Sequence, residues 1–155
     1  MILSKMCDIA GLRPGLPSVI AALGFTLLSG CGGGDDAPER YNITGTVVFN
    51  GEPLPAGEIQ LIPNSAQGVE GPAGNAVIVD GKFNTAERGT GIVGGAHYVV
   101  INGFDGQGDP GGLMPMGKPL FAGYRFEHEF PPVSEAPEEG PLKVEFEVPA
   151  SAAKR

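Results

Sequence analysis

From residue 40 onward the chain carries two histidines, His97 and His128, three serines, Ser65, Ser134 and Ser151, and no cysteine. A catalytic zinc needs about three protein ligands and one open position. The sequence holds no H-E-x-x-H pair and no spare thiol, so a metal centre is not expected. His128 alternates with Tyr124, Phe126 and Phe130, which places it on the inner or rim side of a strand as a structural residue. A serine nucleophile needs a histidine base and an acid that orients it, and none of these serines sits in G-x-S-x-G. Gly89–Gly94 and Gly106–Gly111 both match G-x-G-x-x-G. That motif binds a pyrophosphate only between a strand and a helix N-terminus, and neither match precedes a helical pattern. With 26 glycines in 155 residues the motif arises by chance. Asp105-Gly106-Gln107-Gly108-Asp109 offers oxygen ligands without the EF-hand spacing or its bidentate glutamate, so a solvated loop is expected, with weak calcium binding as the alternative. No catalytic residue, cofactor or enzymatic activity is therefore expected.

One residue at the other end of the chain carries a different chemistry. Lys5 and Arg13 precede an apolar run, and the stretch from Leu16 to Leu28 spans 13 residues. That length suits a signal-peptide h-region and is too short to cross a bilayer. It ends in Leu28-Ser29-Gly30-Cys31, which resembles a bacterial lipobox. The resemblance implies that Cys31 receives a thioether-linked diacylglycerol and becomes the N-terminus after cleavage in front of it. Residues 1–30 are then a lipoprotein signal peptide, with Met1 or Met6 as its start. Cys7 leaves with that peptide and the Cys31 sulfur is occupied, so neither a disulfide nor thiol chemistry is expected.

These residues need elements to position them. Residues 31–40 read as the lipidated cysteine and a flexible Gly- and Asp-rich linker, whose nine residues after Cys31 reach about 15–18 Å. Beyond it the apolar residues recur with period two. Strands are predicted over Ile43–Phe49, Ile59–Ile62, Asn75–Val79, Lys82–Thr85, Tyr98–Ile101, Tyr124–Phe130 and Leu142–Val148. Asn50-Gly51 and Asp80-Gly81 are two-residue hairpin signals. The last two strands carry their apolar residues on even numbers and are expected to pair antiparallel, with Phe130 beside Leu142, Glu129 beside Lys143 and Arg125 beside Glu147, against which Glu127 beside Glu145 works; a register shifted by two residues keeps the same faces matched. Residues 106–120 form a Gly- and Pro-rich loop bearing Leu113, Met114 and Met116. It reads as a disordered or crossing-over loop, with partner contact as the alternative. Residues 151–155 read as a disordered tail. The fold class expected is all-β: an antiparallel, seven-stranded, Greek-key-like sandwich over residues 41–150.

The run from Ile43 through Gly45, Val47, Phe49-Asn50-Gly51-Glu52-Pro53-Leu54-Pro55, Gly57, Ile59 and Leu61 to Pro63 resembles the start of small planctomycete-type lipoproteins. Those carry a carboxypeptidase-regulatory-like, transthyretin-related β-sandwich. Asp80-Gly81-Lys82-Phe83, Gly94–Ile101 and Phe146-x-Val148-Pro149 fit the same pattern. The resemblance covers about residues 41–150 and brings no catalytic residue with it. Hydroxyisourate hydrolases, which share the transthyretin fold, end in Tyr-Arg-Gly-Ser. Here Tyr124-Arg125 runs into Phe126-Glu127, away from that pattern.

Charge and composition bound the partners. The net charge is −8, and loss of Lys5, Arg13 and Asp8 with the signal peptide makes the body one unit more negative. No basic stripe is available for phosphates, so nucleic acid is excluded as a partner. A mean hydropathy of +0.03 excludes a polytopic membrane protein. An acidic body stands off anionic headgroups. The expected protein is a bacterial envelope lipoprotein, lipid-anchored to a membrane and facing the periplasm or exterior. It presents a non-catalytic binding or structural module to a protein or envelope-polymer partner. The alternative is an accessory subunit or enzyme acting on envelope polymers.

Overall fold

The computed structural model describes residues 38–154; Leu28, Ser29, Gly30 and Cys31, with the apolar run before them, lie outside the described residues. All seven predicted strand segments form strands. β1 (Ile43–Phe49) turns through Asn50-Gly51 into β2 (Glu52–Pro53), and β3 is Ala56–Pro63. β4 (Gly74–Val79) turns through Asp80-Gly81 into β5 (Lys82–Asn84), followed by β6 (Gly89–Thr90). β7 is Gly95–Phe104, β8 is Pro119–Phe130 and β9 is Leu142–Val148. Both hairpin turns hold two residues in the left-handed region: Asn50 and Gly51 at φ 52° and 84°, Asp80 and Gly81 at 49° and 72°. That conformation matches the right-handed twist of the strands it joins. The described residues contain three 3-10 turns and no α-helix.

The strands make one curled sheet in the order β2-β1-β5-β4-β3-β7-β8, with β6 on β4 and β9 on β1. All pairings are antiparallel except β1 with β9, which runs parallel from Ile43↔Leu142 to Phe49↔Val148. Gly45 permits that approach: a Cβ there would collide with the Val144 carbonyl. Alternation along each strand sends one row inward. Ile59 and Leu61 of β3, Val99 and Ile101 of β7, and Phe146 and Val148 of β9 are all buried. Each such apolar side chain contributes about 1.5–3 kcal/mol on burial.

Three expectations need correction. β8 and β9 are not antiparallel neighbours: Phe130, Glu129 and Arg125 lie opposite Gly95, Ala96 and Val100, while Leu142, Lys143 and Glu147 lie opposite Ile43, Thr44 and Val48. Their even-numbered faces do meet, with the Phe126 and Phe146 rings 5.4 Å apart and His128 and Phe146 5.3 Å apart. The parity was right and the contact is face to face. The link 131–141 opens on Pro131-Pro132 and contains a 3-10 turn at Val133–Glu135, so it carries the chain away from β8 instead of reversing it into a ladder. Residues 151–154, read as part of a disordered tail, lie in a 3-10 turn, Ala150–Lys154, that packs on β8 with Ala152 buried. Arg40, read as linker, already belongs to the domain. Its guanidinium donates to the Pro72 and Ala73 carbonyls at 3.3 and 3.1 Å.

Candidate functional site

The histidines come from adjacent strands and lie directly opposite each other, His97 on β7 and His128 on β8. His97 is fully buried, and its Nδ1 sits 3.0 Å from the Gly95 carbonyl. A carbonyl only accepts, so Nδ1 carries the proton and Nε2 is a bare lone pair. That Nε2 is buried without a hydrogen-bond partner. Burial lowers the His97 pKa; the Gly95 contact raises it and the neighbouring His128 lowers it. Burial lowers His128 as well. Both rings pack edge-on against Phe130, at 5.3 and 4.6 Å. His97 is thus packed inside the core and His128 half-buried at its margin, both against aromatic rings. Among the described residues, no three His, Cys, Asp or Glu side chains converge as a metal site.

Ser65 opens the 3-10 turn Ser65–Gln67, Ser134 lies in the turn at Val133–Glu135 and Ser151 in the turn at Ala150–Lys154, all exposed. Of the two glycine motifs, the first leads through β6 into β7 and the second into a turn. Asp105 and Asp109 spend carboxylate oxygens on their own loop. Asp105 Oδ1 accepts from the Gln107 and Lys118 amides, both at 2.9 Å, and Asp109 Oδ1 accepts from the Gly111 amide at 3.1 Å.

The loop 105–118 is built, not slack. Its two limbs are tied by Asp105 N to Lys118 O and Gly106 N to Met116 O, both 3.0 Å, and the tip closes through Gly117 N to Met114 O at 3.0 Å. Gly108 lies so close to the opposite limb that a Cβ would collide with Gly117 N and the Met114 and Pro115 carbonyls. Leu113 projects fully into solvent (103% exposed) and Met114 is 59% exposed. Against them lies a depression of about 260 Å³ lined by Glu58, Phe104, Met116 and Pro119. A second surface hollow of about 340 Å³ opens beside β5, lined by Thr44, Lys82, Glu87 and Arg88. Its lining mixes the charges of Lys82, Glu87 and Arg88.

Two structural residues carried no readable sequence signal. Tyr41 donates its hydroxyl to the Pro131 carbonyl at 2.7 Å, and burial pushes its phenol up to about 12. Thr85 is buried, with its hydroxyl accepting from Ile43 N at 2.9 Å. Both depend on partners far away in sequence. No protein-family model, no curated protein and no solved structure matches this chain.

Proposed function

We propose that this chain is a bacterial envelope lipoprotein, anchored through lipid on Cys31, that displays a non-catalytic β-sandwich as a binding or structural module. The observation that carries the reading is the Leu28-Ser29-Gly30-Cys31 sequence, directly behind a 13-residue apolar stretch and a few residues ahead of an all-β domain that begins near Arg40. Two acyl chains at Cys31 would hold the membrane firmly, since each buried CH₂ contributes about 0.8 kcal/mol and one chain alone binds marginally.

The finer fold assignment belongs to the same reading. The pairing of β9 with β1, and the ring contacts between β8 and β9, support two facing layers of a transthyretin-related, carboxypeptidase-regulatory-like sandwich. Support for a non-catalytic role comes from how the chemistry-bearing side chains are used. The histidines pack against phenylalanines, and the loop aspartates cap their own backbone.

Mass spectrometry of the protein extracted from membranes tests the anchor. The expected species begins at Cys31 and carries diacylglycerol. An unmodified Cys31 thiol, or a processed N-terminus at another residue, overturns the reading and the localisation with it.

A further inference from the structure

The loop 105–118 presents large apolar side chains to water on a backbone that is already fixed. A slack loop could turn Leu113 and Met114 inward; here the limbs are closed on each other through Asp105, Gly108 and Gly117, and the two side chains stand outward on that base. Exposed apolar groups on a preorganised backbone bind a partner at a lower ordering cost than a slack loop would. The flank around this tip is acidic, with Glu58, Asp105 and Asp109 against the single cation Lys118. The geometry points to the tip Leu113–Met116 as a docking surface for a partner protein whose apolar patch is fringed with lysine or arginine.

Three occupants compete, and the molecule favours that one. A membrane is disfavoured by position. β3 pairs Ala56 with Phe104 at one end and Leu61 with Val99 toward the other. The loop therefore leaves at the Ala56 end. The chain enters the domain at the opposite end, where Arg40 binds the Pro72 and Ala73 carbonyls just ahead of Gly74, the partner of Leu61. An eight-residue strand spans about 25 Å. Inverting the domain to bring the far pole to lipid would stretch the nine-residue linker well past its relaxed reach of about 15–18 Å, and laying the domain flat sets its acidic surface against the headgroups. A second copy is disfavoured by charge: two tips would bring like acidic rims together on chains of net charge −8. A basic, apolar protein face satisfies both constraints. The inference rests on the anchor reading for the direction in which the tip faces and for the argument against a lipid surface; crosslinking from position 113 tests lipid independently of it.

The test uses the full chain and a stated probe, an amphipathic helical peptide with leucine on one face and lysine on the other. It is compared with a serine/lysine peptide of equal charge and a leucine/glutamate peptide. The leucine/lysine peptide is expected to bind tightest, and Leu113→Asp with Met114→Asp is expected to weaken it at least tenfold with an unchanged melting temperature. Added carboxylates would strengthen a purely electrostatic attraction, so weakening isolates the apolar contact. A photo-crosslinker at position 113 in intact cells is expected to join a different protein through a Lys- or Arg-bearing peptide, while one at the exposed Glu70, near the opposite pole, does not. Unchanged peptide affinity in the variant, crosslinks only to lipid or to a second copy, or the same products from both positions would overturn the proposal. An unmodified Cys31 alongside the tenfold loss and a protein crosslink from position 113 sinks the anchor and leaves the docking surface standing.

Discussion

His97 shows how a polar residue is used when tertiary structure surrounds it with rings. Its Nε2 is buried without a partner, so protonation would put a charge among Phe130 and its neighbours. A base whose pKa falls on folding binds protons more tightly when unfolded. Stability is then fully present above the ordinary histidine value near 6.5 and is lost as pH falls below it toward the lowered folded value. The melting temperature is expected to drop between pH 7.5 and 5, and His97→Phe, neutral at every pH, is expected to flatten that drop. A slope unchanged by the substitution would show that His97 is not its source. Tyr41 makes the opposite use of a polar tip. Tyr41→Phe removes the bond to the Pro131 carbonyl, at a cost of about 1 kcal/mol, and several degrees of melting temperature are the expected readout.

At the scale of the element, the parallel pairing of β1 with β9 is the feature that a local pattern does not specify. Strands of matching parity bury the same apolar rows side by side or face to face. What separates the two is the path of the link 131–141, which leaves β8 through two prolines and is held by Tyr41. Gly45 then admits β9 at close range. Gly45→Val is expected to push β9 off the edge of β1, with amide-exchange protection lost over residues 142–148 first and retained on β3 and β7. Uniform loss across the sheet would mean that β9 is integral to one cooperative unit. Loss confined to β9 would mark it as the least stable strand.

Over the whole molecule, the poles of the sheet differ. One receives the chain at Arg40; the other carries Leu113 and Met114 on a tied loop. Under the proposed anchor this polarity turns the apolar tip outward, away from the membrane. Cys31→Ser removes the thioether acceptor without touching a residue of the described domain. The variant is expected to leave the membrane fraction, or to remain as an uncleaved precursor, while the domain's melting temperature stays within a degree of the parent's. Retention in membranes without a lipid on residue 31 would point to another attachment.

The sequence by itself determined the all-β class, the seven predicted strand segments, both hairpin turns and the side of β8 and β9 that faces inward. Each is a local consequence of period-two burial or of a left-handed turn that Asn-Gly and Asp-Gly accept. The tertiary structure alone decided which strands are neighbours, that β9 runs parallel to β1, that residues 150–154 pack on β8, and that the Gly- and Pro-rich loop is tied. Those outcomes depend on contacts between residues far apart in the chain: Gly45 with Val144, Tyr41 with Pro131, Asp105 with Lys118. A periodic pattern says which face of a strand is buried. It holds no information on what lies across from that face, because many topologies bury the same row equally well.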